Sequence, residues 1–263
     1  MKLISLNISI KLDNAHQVAE FLRVQQADIV LLQEVVNNLD EAVFPMYQSK
    51  KIIEEATVDT LPYRFFGSLR YAEASMVDGK IRRNFGGMVE QGNEILSAYP
   101  FTNTSNEHYY KSYEYSSDRT NFATEDHPRA VQVATCTIDG KSLQLLNLHG
   151  LRSEGKLGDE RTLAQCTYVL EAALRKKTPT IIAGDFNLLP DNAGIQLLSG
   201  EFRNLIDEFH ITSTRPDFTD TLESGGNVVD YIFVNEMIDV KRFEVIDTTI
   251  SDHLPLLLEF EIK

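Results

Sequence analysis

A chain of 263 residues, 43% hydrophobic and 24% charged, can bury a sizeable core, which excludes a disordered or fibrous protein. Its two cysteines, Cys136 and Cys166, lack paired spacing, so a disulfide scaffold is excluded and buried free thiols are expected. A formal charge of −14 argues against a dedicated duplex binder, because a basic face supplies most of the affinity for a phosphate backbone.

The first residues, Met1-Lys-Leu-Ile-Ser-Leu-Asn-Ile, read as a strand and not as the long apolar run of a signal peptide. No stretch reaches the roughly 20 apolar residues that cross a bilayer. A soluble, cytoplasmic chain is the expectation, with one domain over residues 1–263. Residues 2–9 give an apolar-rich strand ending near Asn7. Asn14 then caps a helix whose Ala15, Val18, Phe21 and Leu22 recur at helical spacing. Residues 27–34 form a continuous apolar run, the mark of a strand buried on both faces, and it ends in Glu34. A second helix is expected within residues 39–56, broken or shifted by Pro45.

Residues 63–71 read as an aromatic-rich strand. Residues 86–90 and 93–99 read as two short strands around a turn at Gln91-Gly92. Lys80, Arg82 and Arg83 form a local basic cluster, read as a solvated hairpin loop in preference to a nucleic-acid face. Residues 108–115 would place Tyr109, Lys111, Tyr113 and Tyr115 on one strand face. That row either packs across a sheet or lines a cleft and stacks on a substrate. After a polar loop over 116–128, residues 129–139 and 141–149 read as a hairpin joined at Asp139-Gly140.

A glycine-bearing loop over 150–158 leads to a helix from Asp159 to about Lys176, with Leu163, Cys166, Leu170, Ala173 and Leu174 as its apolar stripe. A strand from Pro179 runs into Ile181-Ile-Ala-Gly-Asp185-Phe-Asn187-Leu-Leu-Pro190, with a carboxylate and a carboxamide two residues apart. In an extended backbone that spacing sends both side chains to the same side. One or two short helical pieces are expected within 193–210 and a polar loop over 213–227. Strands follow over 228–234, 240–246 and 256–262.

Polar residues recur at or near strand ends inside apolar text: Asn7, Glu34, His149, Asp185 with Asn187, Asp230, and Asp252 with His253. Each alone has an ordinary structural explanation in a turn, a cap or a satisfied buried histidine. Together they concentrate carboxylates that are costly to bury uncompensated. A cation resolves that cost, and oxygen ligands without a Cys/His cluster favour Mg²⁺ or Mn²⁺ over structural zinc.

The segments Ser5-Leu-Asn7, Leu32-Gln-Glu34, Gly92-Asn-Glu-Ile-Leu-Ser-Ala-Tyr-Pro100, Asn147-Leu-His149, Gly184-Asp-Phe-Asn187, Asp230-Tyr-Ile-Phe233 and Ser251-Asp-His253, in this order, resemble the endonuclease/exonuclease/phosphatase superfamily of DNase-I-like phosphoesterases. The resemblance implies an α/β fold: a four-layer αββα sandwich of two mixed β-sheets flanked by helices, with the active site where strand ends converge. It implies a divalent-metal-dependent phosphoester hydrolase, phosphodiesterase or phosphatase, in which water attacks phosphorus. Glu34 would be the main metal ligand, with Asn7 and Asp252 near the ion. Asp185 would hold and deprotonate water, Asn187 would fix the phosphate or that water, and His253, oriented by Asp230, would bond phosphoryl oxygens. His149 would contact the phosphate or assist the leaving group, and Tyr109 and Arg129 are further candidates for substrate binding.

The sequence departs from the abasic-site branch of that superfamily. It carries His149 where that branch has a tyrosine motif, Val228-Val229 before Asp230 where that branch shows a Trp-Arg pair, and no tryptophan anywhere. Gly150 also replaces the leucine common in several phosphatase and deadenylase members. These departures and the acidic charge favour a small phosphorylated molecule, a lipid headgroup or a nucleotide as substrate. A nuclease on DNA or RNA is the alternative, and a non-catalytic binding domain of the same fold the second. No protein partner is implied.

Overall fold

A computed structural model of the chain describes residues 1–77, 79–119, 126–216 and 228–263. The chain folds around two copies of one pattern, a parallel strand–helix–strand unit set inside antiparallel neighbours. In the first unit β1 (Lys2–Asn7) passes through α1 (Ala15–Gln25) to β2 (Ile29–Asn38), which lies parallel to β1. After α2 (Ser49–Ala56), the long hairpin β3 (Tyr63–Val77) and β4 (Lys80–Ser97) adds on the β2 side. In the second unit β9 (Lys141–His149) passes through α3 (Glu160–Leu174) to the parallel β10 (Thr180–Asp185). The strands β5 (Phe101–Tyr110) and β8 (Arg129–Ile138) lie on its β9 side.

Short β6 (Glu114–Tyr115) and β7 (Asp118–Arg119) pair with β3. α4 (Ala193–Ser199), β11 (Arg203–Asn204) and α5 (Leu205–Glu208) lead to β12 (Asp230–Val234), which joins β10. The chain closes with β13 (Ile238–Val245) and β14 (Leu256–Ile262), the latter antiparallel to β1. The first sheet therefore runs β13-β14-β1-β2-β4-β3-β6, with β7 also on β3, and the second runs β11-β12-β10-β9-β8-β5.

Strand alternation builds the layers. Leu3, Ile29 and Leu31 of the first sheet and Val131, Leu145 and Ile182 of the second belong to one core cluster. Their alternates Ile4, Leu6, Val30 and Leu32 belong to another, with Val18, Ala19 and Leu22 of α1 and Ile53 of α2. Cys166, Val169, Ala172 and Ala173 of α3 cover the second sheet. The result is a four-layer sandwich of two mixed sheets with helices outside, as expected from the sequence.

Details differ from the sequence reading where tertiary contacts override local signals. Asn14 stands at the N-cap of α1 without capping it; its amide donates to the carbonyls of Ile8 (2.7 Å) and Ile250 (2.6 Å), pinning two loops together. The apolar stripe of α3 is displaced, leaving Leu163 and Leu174 exposed while Gln165 and Val169 are buried. Asp159 caps that helix, accepting from the Thr162 amide at 3.0 Å. The stretch read as two short strands is the single strand β4, because Gly92 takes no turn but lies against Gly67 of β3, where an added Cβ would stand 2.3 Å from the Gly67 carbonyl oxygen.

Lys80, Arg82 and Arg83 lie in β4 beyond the hairpin turn, not in a loop. The tyrosine row is broken because Lys111 is left-handed (φ 52°) just after β5. Tyr109 packs on Tyr168 of α3, whereas Tyr113 and Tyr115 pack on Tyr71. Cys136 and Cys166 are buried free thiols, and burial pushes them up to about 11 and about 12. No helix among the described residues is long and apolar enough to cross a membrane.

Candidate active site

The two parallel units end at the same edge of the sandwich, and the carboxyl ends of parallel strands are where α/β sheets place ligands. Register does the first part of the work. Asp185 at the end of β10 pairs with His149 on β9 and with Asp230 on β12, setting three polar residues abreast. Gly184 makes the approach possible: at φ 144° its missing Cβ would lie 2.0 Å from the Leu148 carbonyl oxygen. Phe186 then anchors the turn, fully buried with its ring edge-on to Tyr231 and Phe233 at 5.5 Å each.

Asp185 and Asn187 do not share one side of an extended strand, as their spacing suggested. Asn187 is left-handed (φ 54°), its amide N–H donates to Asp185 Oδ1 at 2.8 Å, and its side chain donates to the Gly150 carbonyl at 3.2 Å. This is an Asx-turn, and it holds the carboxylate by its own backbone. The first sheet supplies Asn7, at the end of β1 and 1% exposed. Its Nδ2 donates to Asp185 Oδ2 at 3.1 Å and lies 3.5 Å from Glu34 Oε1.

Glu34 is not at a strand end. It sits inside β2 at a bulge between Leu32 and Val35, with φ 60°. A left-handed glutamate is a strained conformation that is retained where it aims a side chain. The Ile10 amide donates to Oε2 at 2.7 Å, which leaves Oε1 facing Asn7. Burial raises the Glu34 pKa, but His149, Lys11 and the Ile10 amide outweigh both burial and the nearby Asp252, holding the carboxyl below its ordinary value.

Asp230 and His253 form a buried pair, with Nδ1 at 2.9 Å from both carboxylate oxygens. Thr214 donates its hydroxyl to Asp230 Oδ2 at 2.7 Å and accepts from the Val229 amide at 3.1 Å, fixing the carboxylate. The other ring nitrogen, Nε2, meets Arg215 Nη1 at 2.8 Å and lies 3.6 Å from Asp185 Oδ2. A guanidinium only donates, so with Arg215 seated the imidazole is neutral at Nε2 and protonated at Nδ1. Burial lowers the His253 pKa, yet Asp230 and Asp185 raise it more, giving a net upward shift.

Asp185 Oδ2 is the point of convergence: Asn7 Nδ2 at 3.1 Å, His253 Nε2 at 3.6 Å and His149 Nε2 at 3.7 Å. Burial pushes its pKa up, but His253, His149, Lys156 and Arg215 overcome that and hold the carboxyl well below the usual carboxylate range. Asp252 lies at the rim, 3.4 Å from Arg215 Nη2 and 3.8 Å from Lys11 Nζ. Burial raises it, and His253, Lys11 and Arg215 bring it below its ordinary value.

Asn7, Glu34, His149, Asp185, Asn187, Asp230, Asp252 and His253 are thus gathered at one edge. The two weaker candidates stand apart from this cluster. The Tyr109 hydroxyl donates to Gln165 Oε1 at 3.2 Å, beneath α3. Arg129, 3% exposed, donates to the Gly150 carbonyl at 3.1 Å, the same oxygen that receives Asn187. Thr214, Arg215 and Lys156 were not singled out in the sequence. Nothing local marks them, because each enters from a loop whose position depends on distant strands.

Two donor sets suit a cation. Ligand atoms of Asp185, Asp230 and His253 lie within 4.8 Å of one another, although Thr214 and His253 already engage Asp230. Glu34 offers an ionised oxygen without a backbone donor, beside Asn7 and across from Asp252, and such a set matches a hard dication.

The Endonuclease/Exonuclease/phosphatase family profile matches residues 4–253. The chain belongs to this family. Members of this family are generally hydrolytic and generally dependent on a divalent metal. Among solved structures it is similar to an endonuclease/exonuclease/phosphatase from Beutenbergia cavernae (TM-score 0.73, 15% identity), which covers 100% of this chain and 71% of its own. It is also similar to a mannosyl-6-phosphatase from Bacteroides thetaiotaomicron (TM-score 0.65, 17% identity, 100% of both chains). D. rerio TDP2, solved with a single-strand DNA product, gives a TM-score of 0.66 at 16% identity over 99% of this chain and 98% of its own. At these identities the likeness is one of fold. No curated protein matches the chain in sequence.

Proposed function

We propose that this protein hydrolyses phosphate esters with Mg²⁺ or Mn²⁺ at the Asp185 edge of the sandwich. The observation that carries this reading is the convergence on Asp185 Oδ2 of one amide and two imidazoles around an ionised, buried carboxylate. A structural salt bridge needs only one partner. A carboxylate with one amide donor and two imidazole nitrogens at its rim is arranged to hold a small polar reactant.

Glu34, with Asn7 and Asp252, would hold the divalent ion, which when bound offsets charge on phosphate oxygens. Asp185 accepts a hydrogen bond from the attacking water. Its low proton affinity rises when an incoming phosphate takes up the charge of Arg215 and Lys156, so the base strengthens as substrate seats. The water oxygen bonds to phosphorus, the ester P–O bond breaks and the water proton passes to Asp185. His253, freed of Arg215 and oriented by Asp230 and Thr214, donates from Nε2 to a phosphoryl oxygen. His149 would contact the phosphate or protonate the departing alkoxide. Asn187, fixed by the Gly150 carbonyl that Arg129 also holds, would fix the phosphate or the water.

A small phosphorylated molecule, lipid headgroup or nucleotide is the substrate class we infer, with nucleic acid second because of the −14 charge. The test is a screen of purified protein with Mn²⁺ against nitrophenyl phosphates and labelled oligonucleotides. Cleavage of nitrophenyl phosphates that disappears with chelator and in Asp185→Asn supports the reading. Oligonucleotide cleavage that meets the same two criteria moves the assignment to a nuclease. Absence of both cleavage and divalent-ion binding leaves a non-catalytic domain.

A further inference from the structure

Two cations at this site have no role in the chemistry above beyond lending charge, and both are unusually placed. Lys156 is 7% exposed, and its ammonium makes no hydrogen bond or ion pair among the described residues. Burial pushes it down to about 8; Asp185 and Asp230 pull it up, whereas Arg215 and Arg152 push it down further. The side chain is largely buried around an ammonium that has no carboxylate in contact among the described residues, which is costly, and here it also lies near a second cation. Its backbone is left-handed (φ 58°), directly after left-handed Gly155 (φ 57°). The Leu189 amide donates to the Lys156 carbonyl at 3.1 Å, tying this turn to the loop that carries Asn187.

Arg215 enters from the other side. Its neighbour Thr214 is locked to Asp230, and its own amide donates to Ser213 Oγ at 3.1 Å. Its guanidinium rests on His253 Nε2 and Asp252, which is where a phosphoryl oxygen would be received under the reading above. Two like charges from separate loops, one strained into position and one parked on the phosphate-receiving nitrogen, mark a site for an anion with more charge and more acceptors than the other groups satisfy.

We propose that Lys156 and Arg215 form a clamp for the third non-bridging oxygen of a terminal phosphate, making the site selective for phosphomonoesters over phosphodiesters. The inference rests on the proposed hydrolase reading. A diester offers two non-bridging oxygens and one negative charge, which the divalent ion and His253 can serve. A monoester offers three such oxygens and close to two charges near neutrality. The additional donors are a point charge and a planar fork, the two cationic forms suited to phosphate. Hydrolysis then consumes one water and yields an alcohol and inorganic phosphate, the proton lost by water balancing that gained by the alkoxide.

The test compares nitrophenyl phosphate with bis-nitrophenyl phosphate for wild type, Lys156→Met, Lys156→Arg, Arg215→Gln and Arg215→Lys. A parallel titration by calorimetry measures inorganic phosphate binding with Mn²⁺ present. Wild type should favour the monoester. Lys156→Met and Arg215→Gln should each lose roughly ten- to a hundredfold in monoester kcat/KM, the usual effect of one charge-assisted hydrogen bond. That loss should exceed the loss on the diester by about tenfold, with the arginine and lysine replacements restoring part of it. Phosphate affinity should fall in step. Lys156→Met removes a charge from a largely buried side chain that makes no ion pair among the described residues, so its thermal midpoint should not fall.

A wild-type preference for the diester, equal losses on both esters, or unchanged phosphate affinity in both charge-removing variants overturns the clamp. Faster diester cleavage that needs metal and Asp185 leaves the hydrolase reading intact while removing this one. If neither ester is cleaved, the hydrolase reading passes to the oligonucleotide and metal-binding tests above, and phosphate calorimetry still decides the clamp.

Discussion

Asp185→Asn is the substitution from which the geometry yields the fullest set of consequences. The introduced amide is isosteric, so no cavity forms. Its oxygen can keep the Asn187 amide that now lies 2.8 Å from Oδ1. Its nitrogen must then replace Oδ2, where Asn7 Nδ2 stands at 3.1 Å, setting a donor against a donor. One hydrogen bond to a charged acceptor is lost, a cost of about 2 kcal/mol, which lowers the thermal midpoint by about 4–8 °C for a chain of this size.

The sign with pH is fixed by the low native pKa of Asp185. Its stabilisation is full above the unfolded value near 3.9 and is lost as pH falls through the native one, so the stability gap to the variant should narrow below about pH 4. Activity should fall further than stability explains, by about 10²–10⁴ in kcat, because water loses its acceptor. Steady-state hydrolysis of nitrophenyl phosphate with saturating Mn²⁺, beside thermal unfolding from pH 3 to 8, measures both effects. A variant that keeps more than about a tenth of wild-type kcat at pH 7 refutes the role given to Asp185.

Three further outcomes are expected. Glu34→Gln should raise the Mn²⁺ concentration for half-maximal activity by roughly tenfold or more; an unchanged metal titration removes Glu34 from the ion. Asp230→Asn withdraws the carboxylate that helps raise the His253 pKa, so the alkaline limb of kcat/KM should move to lower pH; an unmoved limb separates His253 protonation from the reaction. Glu94, buried beside Glu54 with neither carboxyl oxygen well hydrogen-bonded, is held neutral by burial first and by that carboxylate second, which raise its pKa well above the ordinary value. The native form keeps a proton that the unfolded chain loses, so this group costs stability as pH rises above about 4.3. Glu94→Gln should add on the order of 1 kcal/mol or more at pH 8 and flatten urea midpoints between pH 5 and 8; a variant less stable at pH 8 contradicts this.

How much of this was legible in the sequence depends on the range of each signal. The β8–β9 hairpin was readable because Asp139 and Gly140 carry the turn themselves, both left-handed (φ 49° and 79°). The strand into Asp185 was readable as a buried apolar run with a polar end. Gly92 misled because a glycine that allows close strand packing looks in sequence like one that makes a turn. Glu34 was found by its type but misplaced, since its bulge follows from pairing with β4 and leaves no local mark. The Asx-turn at Asn187 replaced the expected extended spacing because its side chain finds the Gly150 carbonyl, 37 residues away in sequence.

The cations carry the same lesson further. In sequence Lys156 lies in the glycine-bearing loop over 150–158 and Arg215 in the polar loop over 213–227, and nothing local marks either. Their place beside Asp185 and His253 follows from long-range contacts, Arg215 on His253 and Asp252 and the Lys156 carbonyl on the Leu189 amide. Residues 120–125 and 217–227, within the polar loops expected over 116–128 and 213–227, lie outside the described residues.

The central claim is that water, held at Asp185 and supported by a divalent ion, attacks phosphorus. It is tested most directly by hydrolysis of nitrophenyl phosphate in ¹⁸O-labelled water, with the label followed by mass spectrometry of both products. The account predicts label in inorganic phosphate, none in nitrophenol, and no turnover after chelation until Mg²⁺ or Mn²⁺ is restored. Label in nitrophenol, or turnover that persists without a divalent ion, contradicts it.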